Sequence, residues 1–199
     1  MTVLIAGAGI GGLTTALMLH ERGIKATVVE QAPQVREVGV GINTLPHSIA
    51  ELAGLGLLDR LDEVGLRTRE LRYLTRQGQE VWRELRGLHA GHKFPQFSIH
   101  RGRLQKVLYD AAVERMGKDA VLTGLRLSGF VQDEAGVTAH FTDAAEGVTS
   151  RTLRGEVLIC ADGIHSMGRK RFYPNEGPPS WAGVVMWRGA AEWPVWEDG

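Results

Sequence analysis

Val3-Leu4-Ile5-Ala6-Gly7-Ala8-Gly9-Ile10-Gly11-Gly12 is the stretch that decides the fold. Its first four residues are wholly apolar, as in a strand buried on both faces of a parallel sheet. Gly7, Gly9 and Gly12 then satisfy the pattern G-x-G-x-x-G. Leu13, Ala16, Leu17 and His20 recur at helical spacing, and Gly23 is placed to end that helix. Ile24 to Val29 is a second, β-branched strand that closes on Glu30. Strand, glycine turn, helix and strand in about thirty residues make a βαβ unit of the kind that holds dinucleotides. In such a unit Gly7 permits the tight turn, Gly9 lets backbone approach a pyrophosphate, and Gly12 lets the helix pack closely on the strand. The free N–H groups and dipole at the helix start favour the diphosphate. Glu30 is placed to accept both hydrogen bonds of a ribose diol, and its charge disfavours a 2′-phosphate. The pattern therefore predicts FAD or NAD rather than NADP. A glycine turn packed for purely structural reasons is the competing reading, and the flanking strands, helix and terminal acid argue against it.

Composition narrows the field around that unit. The chain has 199 residues, 23 Lys+Arg against 23 Asp+Glu, and 43% hydrophobic residues. These are the proportions of an ordinary globular protein, and the length suits one substantial domain or one domain plus part of another. Zero formal net charge gives no electrostatic case for nucleic acid or an anionic membrane. The single cysteine, Cys160, excludes an internal disulfide and any multi-cysteine metal site. Residues 2 to 19 carry no charge, but no basic region precedes the apolar run and glycines interrupt it, which argues against a secretory signal or a membrane span. The expected location is the cytoplasm.

Further along, Arg36-Glu37-Val38-Gly39-Val40-Gly41-Ile42-Asn43 is a glycine-punctuated loop headed by arginine. Asn43 or Thr44 is placed to cap a following helix, with Pro46 in its first turn. Ile49, Leu52 and Ala53 supply the buried side of that helix, and Leu57, Leu58 and Leu61 continue beyond the Gly54-Leu55-Gly56 break. Ser98-Ile99-His100-Arg101-Gly102 leads into a helix with Leu104, Val107, Leu108, Ala111, Ala112 and Met116 on one face. Phe130 to Phe141 reads as a hairpin turning at Asp133-Glu134-Ala135-Gly136. Val157 to Ala161 is another buried-looking strand, ended by Asp162-Gly163-Ile164-His165-Ser166-Met167-Gly168-Arg169.

These motifs, with Met186-Trp187-Arg188-Gly189, occur in the order in which the FAD-dependent aromatic hydroxylases carry them. The whole chain resembles that family, the para-hydroxybenzoate hydroxylase class of single-component flavoprotein monooxygenases. Within it the chain also resembles bacterial members that hydroxylate a methylated phenazine carboxylate. D-G-x-x-S-x-x-R at Asp162, Gly163, Ser166 and Arg169 is the more specific motif, because plain NAD dehydrogenases lack it. Gly168 departs from the aliphatic residue usual there, which predicts locally weaker helix packing.

The resemblance implies an α/β fold: a Rossmann-like FAD-binding domain of parallel sheet and βαβ units with inserted antiparallel hairpins, plus part of an antiparallel substrate-domain sheet. The first is expected over 1–70 and 98–177, the second over 71–97 and 178–199. It further implies that Gly7, Gly9, Ile10, Gly11 and Gly12 cradle the FAD diphosphate, with Glu30 and Gln31 at the adenosine ribose. Arg36 and the Gly41-Ile42 backbone would approach the ribityl chain and ring. Arg101 and Gln105 would contact the cofactor from their helix, Leu125 the adenine, and Asp162-Gly163 the ribityl region, a motif that in this family also serves nicotinamide binding. Solvated surface residues are the alternative for Arg36 and Arg101, and an ordinary Asp-Gly turn for Asp162. The implied activity is hydroxylation of an aromatic or heteroaromatic substrate with NADH or NADPH and O2, through a C4a-hydroperoxide of the reduced flavin. No catalytic side chain and no metal are expected.

Leu71 to Thr75 and Glu80 to Glu84 flank Gln77-Gly78-Gln79, a hairpin signal. Trp187, Trp193 and Trp196 lie near the end of the chain, where they either line a flat apolar substrate pocket or pack an ordinary sheet. His89 and His92 have metal-like spacing without an acidic or cysteine partner nearby and read as loop histidines. Cys160 lies in an apolar strand and reads as inert. Members of the family run to roughly twice this length, and their later Gly-Asp motif does not follow Arg169. The expectation is an N-terminal portion, a truncated product or one piece of a split enzyme, for which the missing C-terminal half is a candidate partner. Two readings compete: a halogenase or two-electron dehydrogenase on the same fold, and a non-catalytic nucleotide-binding remnant.

Overall fold

Side-chain alternation along β1 (Thr2–Ala6) sorts the molecule into layers. Val3 and Ile5 belong to one buried cluster, Leu4 and Ala6 to another on the opposite face. The computed structural model describes residues 1–145, 149–189 and 191. Beside β1 lie β2 (Lys25–Val29), reached through α1 (Ile10–Glu21), and the late strand β12 (Val157–Cys160); β8 (Val121–Leu122) extends the far edge. The order is β12-β1-β2-β8, every pairing parallel. Helix α1 stops at Glu21, and Gly23 turns the chain at φ +69, as its position predicted.

The first cluster joins β1 and β2 to α1 and to α4 (Arg101–Met116) through Leu13, Leu17, Leu104 and Leu108. Helices α2 (Pro46–Gly54) and α3 (Leu58–Val64) seal its end with Ile49, Leu57 and Leu61. The predicted apolar faces of the 46–64 and 101–116 helices are thus the buried ones. On the other face an antiparallel sheet of β9 (Leu125–Asp133), β10 (Gly136–Asp143) and β11 (Thr149–Gly155) packs with Leu127, Ala139 and Phe141 against Leu4, Ala6 and Val29. Full burial of a Leu or Phe side chain is worth about 1.5–3 kcal/mol, so these two interfaces hold the sheet from both sides.

Short strands complete the architecture. β3 (Gly41–Thr44), β7 (Phe97–His100) and β4 (Gly65–Arg67) form a three-stranded antiparallel sheet in the order β3-β7-β4. β5 (Glu70–Leu74) and β6 (Glu80–Leu85) form the predicted hairpin, where Tyr73 stands opposite Trp82 with ring centroids 5.7 Å apart. Residues 178–189 contain no helix or strand in the structure. Trp193 and Trp196 lie outside the described residues.

Three local expectations are corrected. Neither Asn43 nor Thr44 caps α2: both pair with β7, and Leu45, held extended before Pro46, is the N-cap. Ser98-Ile99-His100 is a strand, not merely the approach to a helix. Gly168 does not loosen α5 (Met167–Phe172): a Cβ there would lie 2.3 Å from Cys160 Sγ. The sulfur of Cys160 fills the space an aliphatic residue would otherwise take.

Candidate functional site

A crevice of about 510 Å³ opens beyond the carboxyl ends of β1, β2 and β12. Its position follows from topology, because the chain leaves β1 toward β2 on one side while β12 arrives on the other, and the connections diverge there. Of the predicted site residues, Gly7, Gly9, Glu30, Gln31, Arg36, Arg101, Gln105, Leu125, Asp162 and Gly163 line it. Ile10, Gly11, Gly12, Gly41 and Ile42 are not among its lining residues.

The glycine turn and the acidic stretch near residue 160 meet directly. Ala161 N donates to Ala6 O at 2.8 Å, and Gly7 N donates to Val29 O at 2.7 Å. Gly7 holds φ +103, and a Cβ on it would lie 2.4 Å from Ala161 O and 3.1 Å from Asp162 Cα. Gly12 is needed for packing: its Cβ would fall 1.9 Å from Gly7 O. Gly9 differs, for a Cβ there meets no protein atom within 4 Å while the residue lines the crevice. Helix geometry leaves the N–H groups of Ile10, Gly11 and Gly12 without an intrahelical acceptor. They form a donor cluster at the positive end of α1.

Glu30 is more engaged than the sequence suggested. Its Oε2 accepts from Ala8 N at 2.7 Å and its Oε1 from Ala32 N at 2.8 Å. A carboxylate has about four acceptor positions, so each oxygen retains one for a ribose hydroxyl. Leu125 N donates to Glu30 O at 2.9 Å, which brings the start of β9 to the same end of the crevice.

Asp162 is divided between two tasks. Oδ2 accepts from Met167 N at 2.6 Å and ties down the start of α5. Oδ1 is buried without a hydrogen-bond partner. A buried unpaired carboxylate oxygen is costly, and here it belongs to a residue that lines the crevice. Ser166 caps α5 by accepting from Arg169 N at 3.0 Å, while the Arg169 guanidinium pairs with Glu176. The D-G-x-x-S-x-x-R motif is therefore largely a turn-and-cap device that presents one free aspartate oxygen.

Arg36 and Arg101 are exposed yet line the crevice. The Arg101 side chain lies against Gly39, at φ +129, where a Cβ would come within 2.8 Å of Nε. His100 Nε2 lies 2.9 Å from Gly39 O, and Arg101 N donates to Val40 O at 3.0 Å, so the 36–41 loop is held by the start of α4. Gly41 and Ile42 belong to β3 behind that loop, and Gly41 O accepts from Arg188 Nη2 at 2.6 Å. Sequence reasoning overlooked Gln34, Val38, Arg126 and His165 in the lining. Val38 and His165 lie within quoted motifs and Arg126 adjoins Leu125, a signal that was available; Gln34 carried none.

Burial, reinforced by the charge of Asp162, pushes the Cys160 thiol above its usual range. Alkylation requires the thiolate. Iodoacetamide at about pH 8 should therefore label native Cys160 at less than about a tenth of the rate of a small free thiol. Equal rates would refute the half-buried placement of the thiol. Because the folded state holds this proton more tightly than the unfolded chain does, the contribution of Cys160 to stability falls as pH rises above about 8.5. Among the described residues no group of three or more His, Cys, Asp or Glu side chains is placed to hold a metal. Among them, too, no helix is long and apolar enough to cross a membrane.

A glycine turn at a helix start, an acid following the second strand and a partnerless aspartate oxygen just beyond β12 define a flavin-dinucleotide fold. The chain belongs to the FAD binding domain family, which matches residues 1–185. It is 46% identical over 198 residues to the phenazine 1,6-dicarboxylic acid hydroxylase PhzS of Lysobacter antibioticus, an alignment covering 99% of this chain and 49% of that protein. It is 30% identical to an FAD-dependent urate hydroxylase of Klebsiella pneumoniae, over 96% of this chain and 48% of that one. The structure of Klebsiella pneumoniae HpxO complexed with FAD and uric acid superimposes with a TM-score of 0.70 at 29% identity, covering 86% of this chain and 41% of that one. The chain thus spans about half the length of the curated relatives it matches. These relatives are named as hydroxylases, which does not favour the halogenase, dehydrogenase or remnant readings.

Proposed function

We propose that this chain supplies the FAD-holding part of a monooxygenase that uses NADH or NADPH and O2 to hydroxylate an aromatic or heteroaromatic compound. The observation that carries the reading is the buried, partnerless Oδ1 of Asp162, a residue that lines the same crevice as the glycine turn. The amides of Gly9, Ile10, Gly11 and Gly12 would hold the diphosphate, Glu30 and Gln31 the adenosine ribose, and the Leu125 backbone the adenine. Asp162 and Gly163 would hold the ribityl chain, with Arg36 and Arg101 flanking it, Gln105 meeting the cofactor site one turn further along α4 and the Gly41-Ile42 backbone supporting the flavin side. When bound, FAD would supply the redox chemistry, in which two electrons from the nicotinamide let one oxygen atom of O2 reach the ring while the other leaves as water. The protein's share is to bind, orient and exclude water, and no side chain here is assigned as acid or base. Residues 71–97, together with the segment from 178 onward that holds no strand over 178–189, would begin the substrate-facing layer, completed by the remaining half found in the relatives. The single cysteine fits a reducing cytoplasm.

The relatives' named substrates, a phenazine dicarboxylate and urate, are flat nitrogen heterocycles, so the proposed substrate is of that class. The test is a titration of the purified chain with FAD, followed by NADH oxidation when the chain is joined to the C-terminal half of a relative. Tight flavin binding with oxidation stimulated by a phenazine carboxylate and coupled to a hydroxylated product is the expected result. A chain that gains no flavin spectrum overturns the reading. Flavin binding with oxidation but no oxygenated product would favour a dehydrogenase.

A further inference from the structure

Ala8, between the first two glycines of the turn, is fully buried and held on both sides. Its N–H donates to Glu30 Oε2 at 2.7 Å, and its carbonyl accepts from Gln105 Nε2 at 2.8 Å. Gln105 lies on α4, ninety-seven positions further along the chain. A backbone carbonyl can only accept, so the partner atom on Gln105 must be its NH2 group. In a trans peptide the C=O and the following N–H point in opposite directions. Fixing the Ala8 carbonyl on α4 therefore fixes the direction of the Gly9 N–H. Gly9 has no Cβ and precedes an uncapped helix start, so without that anchor its peptide plane is free to rotate. The adjoining Gly7 is already committed through its N–H to Val29 O.

We infer that Gln105 is a positioning residue for dinucleotide binding, acting through the Ala8–Gly9 peptide rather than through a contact with the flavin half of the cofactor. Glu30 holds the same residue from the other side, so two side chains from different elements set the shape of the diphosphate-binding turn before any ligand arrives. This inference rests on the crevice being an FAD site, and it places the effect of Gln105 at the adenosine diphosphate end. The two halves of FAD can therefore report on it separately.

The experiment titrates the unaltered chain and its Gln105→Leu and Gln105→Glu variants with FAD and with ADP by calorimetry, alongside thermal melting of the apoprotein. Gln105→Leu leaves the Ala8 carbonyl without its donor and should weaken FAD and ADP by the same factor, about tenfold. Gln105→Glu cannot donate at about pH 8 and should be equally weak there. At about pH 5 a fraction of its carboxyl is protonated and can donate to Ala8, so its affinity relative to the unaltered chain at the same pH should recover in part. That comparison of one variant at two pH values, each referred to the unaltered chain, stands even where Gln105→Leu folds poorly. FAD weakened with ADP unchanged would mean a direct contact with the flavin side and would overturn the inference. Neither ligand weakened, or no recovery of Gln105→Glu at low pH, would overturn it as well. An unaltered chain that binds neither ligand refutes instead the FAD-site reading beneath it.

Discussion

Gly12→Ala is expected to abolish FAD binding and to cost about 3 kcal/mol or more of stability. The added Cβ would lie 1.9 Å from Gly7 O and 3.4 Å from Ile5 Cγ2, and neither backbone nor core can yield that distance. Helix α1 must lift from β1, carrying the first-turn amides away from the crevice. The neighbouring glycines separate this effect from a general intolerance of side chains. At Gly11 a Cβ meets nothing within 4 Å, so Gly11→Ala should raise apoprotein stability by about 0.5–1 kcal/mol through helix propensity. At Gly9 the space is equally open toward protein but faces the crevice. Gly9→Ala should therefore leave the melting temperature nearly unchanged while lowering FAD affinity at least about tenfold, a steric loss without a folding loss. Melting curves and FAD titrations on the three variants check all of this. A Gly12→Ala protein that melts like the parent would show that the helix does not sit where the structure places it.

Asp162→Ala should reduce FAD affinity by about tenfold to a hundredfold, the worth of a hydrogen bond to a charged group. Stability should move little, by less than about 1 kcal/mol, because two changes oppose each other. The variant loses the bond from Met167 N to Oδ2, which loosens α5, and it also removes the buried oxygen that had no partner. A variant that melts well below the parent but binds FAD normally would reduce Asp162 to a turn residue. Glu30→Ala should behave differently, losing both FAD affinity and order in the apoprotein, since it unties Ala8 N and Ala32 N together.

Much of the site was legible because its parts are local. Gly7, Gly9 and Gly12 announce themselves by spacing, and Glu30 by its place at the end of a β-branched run. The apolar faces of α1 and α4 follow from a helical period, and the two hairpins from alternation broken by glycine. Hairpin turns and helix stripes depend on neighbours only a few residues away, so the primary structure carries them. Short strands were less legible. β3 and β7 have four residues each, too few for a period to register. They become strands only because Asn43 meets Ser98 and Thr44 meets Phe97.

The same distinction separates the roles of individual residues. Glu30 and Asp162 were legible as acids at strand ends, but the sequence contains no hint that Glu30 spends one bond on the glycine turn and one on its own loop, or that Asp162 keeps one oxygen free. Gly168 looked like a packing defect until Cys160 was found filling the space beside it. The sequence alone determined the βαβ unit, its glycine turn and the acid that ends the second strand, because each rests on steric and dipolar rules acting over a few residues. Only the tertiary structure decided that β12 returns beside β1, that Asp162 meets Gly7 and that Gln105 reaches Ala8. Those contacts join segments about a hundred residues or more apart, and close packing of side chains, which no local pattern encodes, selects them.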